Sequence, residues 1–139
     1  MPDVPELSPA VRAALAAGRP VVALESTIIS HGLPKPANLA AARSFEEMLT
    51  AAGVTPATIA VINGAAKVGL DGRDLERIAL DESVIKVSVR DLGLAMTTGR
   101  TAGTTVAATS VLAARAGIRV FATGGLGGVH RGLTQSLDE

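Results

Sequence analysis

Pro20-Val-Val-Ala-Leu24 is a short, unbroken apolar run that stops abruptly at Glu25. A strand wetted on one face alternates apolar and polar residues, whereas a strand covered on both faces reads as continuous apolar sequence. The second pattern belongs to parallel strands held between helix layers. Working outward, Ser8 reads as an N-cap with Pro9 at the first helical position, opening an alanine-rich helix that ends at Gly18. On the other side, Ser26 to Pro36 contains Gly32, Pro34 and Pro36 and is read as a loop. Ala37 to Ala52 has helical composition and stops at Gly53, and Ala57 to Ile62 is a second buried strand closed by Asn63-Gly64.

The alternation continues. Asp71 is placed to cap a short helix through Ala79, with Asp74 at the capping-box spacing. Val84 to Ser88 reads as a third strand, followed by a turn through Arg90-Asp91 and the segment Gly99-Arg-Thr-Ala-Gly-Thr-Thr105. Thr104 to Ala116 is an alanine-rich helix stopped by Gly117. Ile118 to Ala122 is a fourth strand, and it runs into Gly124-Gly-Leu-Gly-Gly128. Strands alternating with helices at this spacing predict an α/β fold with a mainly parallel sheet flanked by helices. After His130-Arg-Gly132 no closing helix or strand follows, so the chain is expected to be truncated at its C-terminus.

Composition narrows the function. The 139 residues carry 13 Lys+Arg against 13 Asp+Glu, a balance that lacks the basic surface a nucleic-acid binder needs. Phe45 and Phe121 are the only aromatic residues, too few for a base-stacking platform. Cysteine is absent, which removes disulfides, thiolate nucleophiles and thiolate metal sites. A hydrophobic fraction of 47% is enough for a packed core and argues against disorder. The longest charge-free run, Met48 to Ala66, is interrupted by Gly53, Pro56 and Asn63-Gly64, so no membrane span is expected. Asp3 and Glu6 stand where a secretory signal would be basic, and a cytoplasmic chain is the expectation.

In open α/β sheets ligands collect at the carboxyl ends of the strands. Glu25 ends the first strand, where partial desolvation suits a carboxyl group to general-acid work; the alternative is a solvated strand-end charge or a loop cap. Lys86 lies inside Val84-Ile-Lys-Val-Ser88 and either faces an edge or meets an anion such as a sugar phosphate. Gly99 to Thr105 brings backbone N–H groups and hydroxyls to a helix start, a fair anion site. It is a poor triphosphate site, because no lysine follows Gly103 as in GxxxxGK[ST]. Four glycines in Gly124 to Gly128 exceed what a tight turn needs and point to close backbone approach by a ligand. His130, just beyond, is placed to orient or protonate a substrate, while His31 between Ser30 and Gly32 is read as shaping its loop. There is no GxSxG elbow and no HExxH pair, which removes the serine-hydrolase and zincin readings.

Taken together, Ala23-Leu-Glu-Ser-Thr-Ile-Ile-Ser-His-Gly-Leu-Pro34, Pro56-Ala-Thr-Ile-Ala60, Lys67-Val-Gly-Leu70, Lys86-Val-Ser-Val-Arg-Asp-Leu92 and Phe121-Ala-Thr-Gly-Gly-Leu-Gly-Gly-Val-His-Arg-Gly132 resemble the pseudouridine-5′-phosphate glycosidases, also called the indigoidine synthase A family. The resemblance runs from about Ser8 to Asp138. It implies that residues 1–139 are the N-terminal portion of a single α/β glycosidase domain, with no second domain. The implied reaction is reversible cleavage of the C–C glycosidic bond of pseudouridine 5′-phosphate to uracil and ribose 5-phosphate, through a lysine adduct of the opened sugar. Glu25 matches the proton donor, Lys86 and Val106 match substrate-binding positions, and His130 matches a histidine of the active-site loop. Asp138 matches the aspartate that binds a divalent metal, typically manganese (Mn2+), an oxygen ligand suited to a hard cation. The family's nucleophilic lysine falls beyond these residues, Lys35 and Lys67 belonging to other blocks, so the chain is expected to be inactive alone. Homotrimers are implied for the full-length family. The alternative is a non-catalytic phosphosugar-binding module.

Overall fold

Six consecutive residues, Ala57 to Ile62, are buried, and the architecture is built around them. The computed structural model describes residues 5–127. Its elements in chain order are β1 (Glu6–Leu7), α1 (Pro9–Ala16), β2 (Val21–Leu24), a π-helical turn (Ile28–Gly32), α2 (Ala37–Ala51), β3 (Thr55–Ile62), β4 (Ala65–Val68), α3 (Gly72–Leu80), β5 (Ile85–Val87), α4 (Val89–Thr97), β6 (Ala102–Thr104), α5 (Val106–Arg115) and β7 (Val120–Ala122). The local signals act as their chemistry requires. Ser8 Oγ accepts from the Val11 amide at 3.2 Å and Asp71 Oδ1 accepts from the Asp74 amide at 2.8 Å, each satisfying a donor at a helix start. Asn63 (φ 49°) and Gly64 (φ 81°) form the two-residue turn that joins β3 to β4.

The sheet order is β1-β4-β3-β2-β7, with β6 also on β3 and β5 on β6. Four of the six strand pairings are parallel; β3 with β4 and β3 with β6 are antiparallel. Odd-numbered β3 residues Ala57, Ile59 and Val61 share a core with Val11, Leu92 and Leu112, so α1, α4 and α5 cover that face. Even-numbered Ala60 and Ile62 share a second core with Ile29, Ala42, Leu75 and Ile78, so α2, α3 and the π-helical turn cover the other. Burial on both faces is why β3 reads as an unbroken apolar run. No helix among the described residues is long and apolar enough to cross a membrane.

The structure departs from the sequence reading in several places. Arg90 and Asp91 lie within α4, not in a turn; its Leu92 and Ala95 are buried against the sheet, and this packing outweighs the glycine at its centre. Within Gly99 to Thr105, Ala102–Thr104 is the fully buried strand β6, an element the sequence reading did not assign. The stretch read as a loop after Ser26 holds the π-helical turn. β1 has only two residues, and β4 is Ala65-Ala-Lys-Val68, in which Lys67 interrupts the apolar run.

Candidate functional site

β2 and β6 lie end to end on one edge of β3. β2 pairs in parallel with Thr55 to Thr58, β6 pairs antiparallel with Ala60 and Val61, and β4 occupies the opposite edge. The two strands therefore approach each other, and their carboxyl ends meet at Ile59. The Ile59 carbonyl sits where one ladder stops and the other starts, and side chains take over its hydrogen bonding. Ser26 Oγ donates to Ile59 O at 2.6 Å and accepts from the Thr104 amide at 2.9 Å. Thr104 Oγ1 donates to the same carbonyl at 2.7 Å and lies 2.8 Å from Thr109 Oγ1 on α5. Ser26, Thr104 and Thr109 are completely buried, so this knot locks the end of β2 against the start of α5.

Glu25 precedes the knot by one residue and Val106 follows it by two, so the structure brings these two predicted site residues to the same junction. Glu25 is half-buried, and its Oε1 accepts a 2.6 Å hydrogen bond from Thr123 Oγ1 at the end of β7. Both line a cleft of about 320 Å³ whose remaining wall is largely apolar, including Leu24, Ile28, Phe45 and Met48. The carboxylate thus stands as a polar group in an apolar surround at the carboxyl ends of two parallel strands. Gly124 also lines this cleft, so the glycine-rich segment begins beside Glu25.

Lys86 is exposed on β5, the edge strand, and lines a different hollow with Asp91 and Arg100. It faces the same side of the sheet as its partners Gly103 and Ala60, the side covered by the π-helical turn. The Gly99–Thr105 anion site is weaker than its sequence implies. The Thr104 amide is taken by Ser26 Oγ, the Thr105 amide by Val87 O at 3.1 Å, and the Ala108 amide by Thr105 Oγ1 at 3.5 Å. His130 and Asp138 lie outside the described residues. Among the described residues no group of three or more His, Asp or Glu could hold a metal ion.

Thr123 and Glu46 gain places that the sequence reading did not assign, and His31, read as shaping its loop, gains a partner there. Thr123 holds Glu25 across 98 positions of sequence, and no local signal marks that partnership. His31, on the π-helical turn, lies 2.7 Å from Ser30 Oγ through Nδ1. Burial, then the positive charges of Lys86 and Lys35, hold its imidazole below the ordinary value of 6.5. Glu46, on α2 beside the cleft residue Phe45, accepts a 2.6 Å bond from buried Thr58, and burial lifts it above the ordinary 4.5.

A family model described as Indigoidine synthase A like protein matches residues 10–139. A pseudouridine-5′-phosphate glycosidase of Frankia alni is 65% identical over 133 residues, covering 96% of this chain and 37% of the relative. One from Saccharopolyspora erythraea is 60% identical over 137 residues, 99% of this chain and 45% of the relative. The crystal structure of a prealnumycin C-glycosynthase in complex with ribulose 5-phosphate is 44% identical with a TM-score of 0.76, covering 92% of this chain and 41% of that one. An indigoidine synthase A-like protein from Thermotoga maritima is 34% identical with a TM-score of 0.81, covering 95% and 43%. The chain spans 37% to 45% of the length of these relatives.

Proposed function

This chain belongs to the indigoidine synthase A-like family, and we propose that it is part of an enzyme that reversibly cleaves the C–C glycosidic bond of pseudouridine 5′-phosphate. The products are uracil and ribose 5-phosphate: the base carbon gains a hydrogen as the bond breaks, and water supplies oxygen to the sugar carbon. The observation that carries this reading is the Glu25–Thr123 pair at 2.6 Å in an apolar cleft at the strand ends. Glu25 is the proton donor, and the Thr123 hydroxyl fixes which way its carboxyl group points. Val106, at the first position of α5, and Lys86 are substrate-binding residues in this reading, as is His130. The lysine that forms the adduct with the opened sugar is assigned to the part of the relatives that this chain does not span, so turnover needs both parts. The complete enzyme uses a divalent cation, manganese, with Asp138 as an oxygen ligand, and it is a cytoplasmic homotrimer. The cation, when bound, supplies positive charge that polarises a substrate oxygen.

A phosphosugar-binding module without turnover is the second reading; the likeness to a C-glycosynthase solved with ribulose 5-phosphate supports the phosphosugar site that both readings share. One assay separates the two. Release of uracil from pseudouridine 5′-phosphate with manganese is followed for this chain, and for a chimera in which residues 8–127 replace the matching part of the Frankia alni relative. The glycosidase reading expects turnover by the chimera and a loss of at least about 100-fold in its Glu25→Gln variant, the range for removing a general acid. A chimera that binds ribose 5-phosphate yet releases no uracil refutes it in favour of the binding module.

A further inference from the structure

Asn38, in the first turn of α2, is a fully buried polar side chain beside Ile29 and Ala79 of the second core. Its amide nitrogen donates to carbonyls on two different elements, Ile29 O on the π-helical turn at 2.9 Å and Ala79 O in the last turn of α3 at 2.6 Å. Its Oδ1 accepts from the Leu39 amide at 2.9 Å, so both donors and the oxygen are in use. Neither carbonyl is met by a backbone donor among the described residues. Leu33 N closes the π-helical turn on Ile28 O, and the next residue, Pro34, has no N–H to offer Ile29 O. Ala79 O lies beyond the last bond of α3, in which Asp81 N donates to Arg77 O. One buried side chain therefore satisfies two orphaned acceptors and ties α2, α3 and the turn together at a single point.

The lining of the Glu25 cleft hangs on that point from two directions. On the turn, Ile28 lines the cleft, and Ile29 N and Ser30 N both donate to the carbonyl of Ser26, the residue after Glu25. On α2, positions 38, 42, 45 and 49 fall on one face at helical spacing. The stripe that begins with Asn38 and continues through buried Ala42 thus ends in Phe45 and Leu49, which also line the cleft. We propose that Asn38 is a positioning residue for proton transfer by Glu25. By fixing α2 against the turn it sets the separation of Ile28 from Phe45 and Leu49, and so where the substrate's base stands relative to the Glu25 carboxyl group. The role rests on the glycosidase reading above and deepens it, with a residue that touches neither substrate nor reacting atoms. Apolar contact between Ile28 and α2 is non-directional and tolerates sliding, whereas two hydrogen bonds from one planar amide leave a single placement.

The test is a double-mutant cycle on uracil release by the chimera, pairing Asn38→Asp with Glu25→Gln. Asn38→Asp keeps the side chain's size and the acceptor for Leu39 N, but its carboxylate donates to neither carbonyl. Asn38→Ala is run in parallel, so that a buried carboxylate that prevents folding does not decide the outcome. Each change is expected to lower kcat at least about tenfold by misplacing the reacting groups. In the Glu25→Gln background each is expected to cost less than about twofold further, because no proton donor is left to misplace. A role confined to stability lowers the folded fraction alike in both backgrounds, so equal losses in both, or no loss in either, overturn the proposal. A second readout needs no turnover. With fluorophenylalanine incorporated, the Phe45 fluorine signal, identified by its loss in Phe45→Leu, reports the cleft wall by NMR. Asn38→Ala is expected to shift it, and Thr50→Ala, farther along α2, is expected to leave it in place. An unmoved signal overturns the proposal whatever the activity. A signal that moves, in a chimera that releases no uracil even with Asn38 and Glu25 intact, upholds the anchoring by Asn38 and refutes the glycosidase reading instead.

Discussion

Replacing Ser26 by alanine probes the junction that positions Glu25. The hydroxyl makes two buried contacts, and the consequences of losing them differ. Ile59 O loses one donor but keeps Thr104 Oγ1 at 2.7 Å, so the acceptor stays satisfied. The Thr104 amide has Ser26 Oγ, at 2.9 Å, as its partner and is left without it in a site with no access to water. An orphaned buried donor costs about 1–3 kcal/mol, and the net hydrogen bond to Ile59 adds about 0.5–1.5 kcal/mol. A loss near 2–3 kcal/mol is therefore expected, a large share of a stability of about 5–15 kcal/mol. In urea, at about 1–3 kcal/mol per molar for a small protein, the midpoint falls by roughly 1–2 M. Thr50→Ala is the control, because that exposed hydroxyl bonds only Glu46 O within its own helix, and it is expected to move the midpoint little. If Ser26→Ala shifts the midpoint no more than Thr50→Ala does, the buried knot does not hold the strand ends together and the account of Glu25's placement fails.

Glu46 is lifted by burial, so the folded state prefers its protonated form. For an acid raised on folding, the stabilisation is complete below the ordinary value of 4.5 and is lost as pH climbs through the folded value. Glu46→Gln keeps an acceptor for Thr58 and is expected to flatten that decline and raise the urea midpoint at neutral pH; a midpoint that falls there contradicts it. Asp71 is lowered chiefly by the Asp74 amide that it caps, so its contribution is present above 3.8 and disappears as pH falls through the folded value. Asp71→Ala is expected to cost about 0.5–2 kcal/mol at neutral pH, with the difference from wild type shrinking in acid, read from thermal melts at both pH values.

Much of the element layout was legible because it follows from local physics. Ser8 before Pro9 and Asp71 before α3 satisfy their own helix starts, and Asn63-Gly64 takes the left-handed backbone that a two-residue hairpin turn demands. Ala57 to Ile62 could be read as a strand buried on both faces for the same reason. The segments that misled are those in which small residues carry the packing. β6 is Ala102-Gly-Thr104, without the bulk that marks a buried strand, yet it is buried because the π-helical turn lies against its glycine. α4 has a glycine at its centre and becomes a helix through Leu92 and Ala95 at the sheet. Of the site residues, Glu25 stood out as a charge ending an apolar run, whereas Thr123 and His31 gave no local sign of their neighbours.

The sequence by itself determined the α/β character, the main helices and strands, the family, and Glu25 as the group to watch. These depend on apolar period, caps and motif blocks, all carried by residues close together in the chain. Only the tertiary structure decided that β2 and β6 meet end to end on one edge of β3, that Ser26 and Thr104 lock there across 78 positions, and that Thr123 aims Glu25. It also decided that Lys86 lines a different hollow from Glu25. The physical reason is register: a side chain's partner across a sheet depends on which strands align and where each stops, and no period within one strand encodes the stopping point of another.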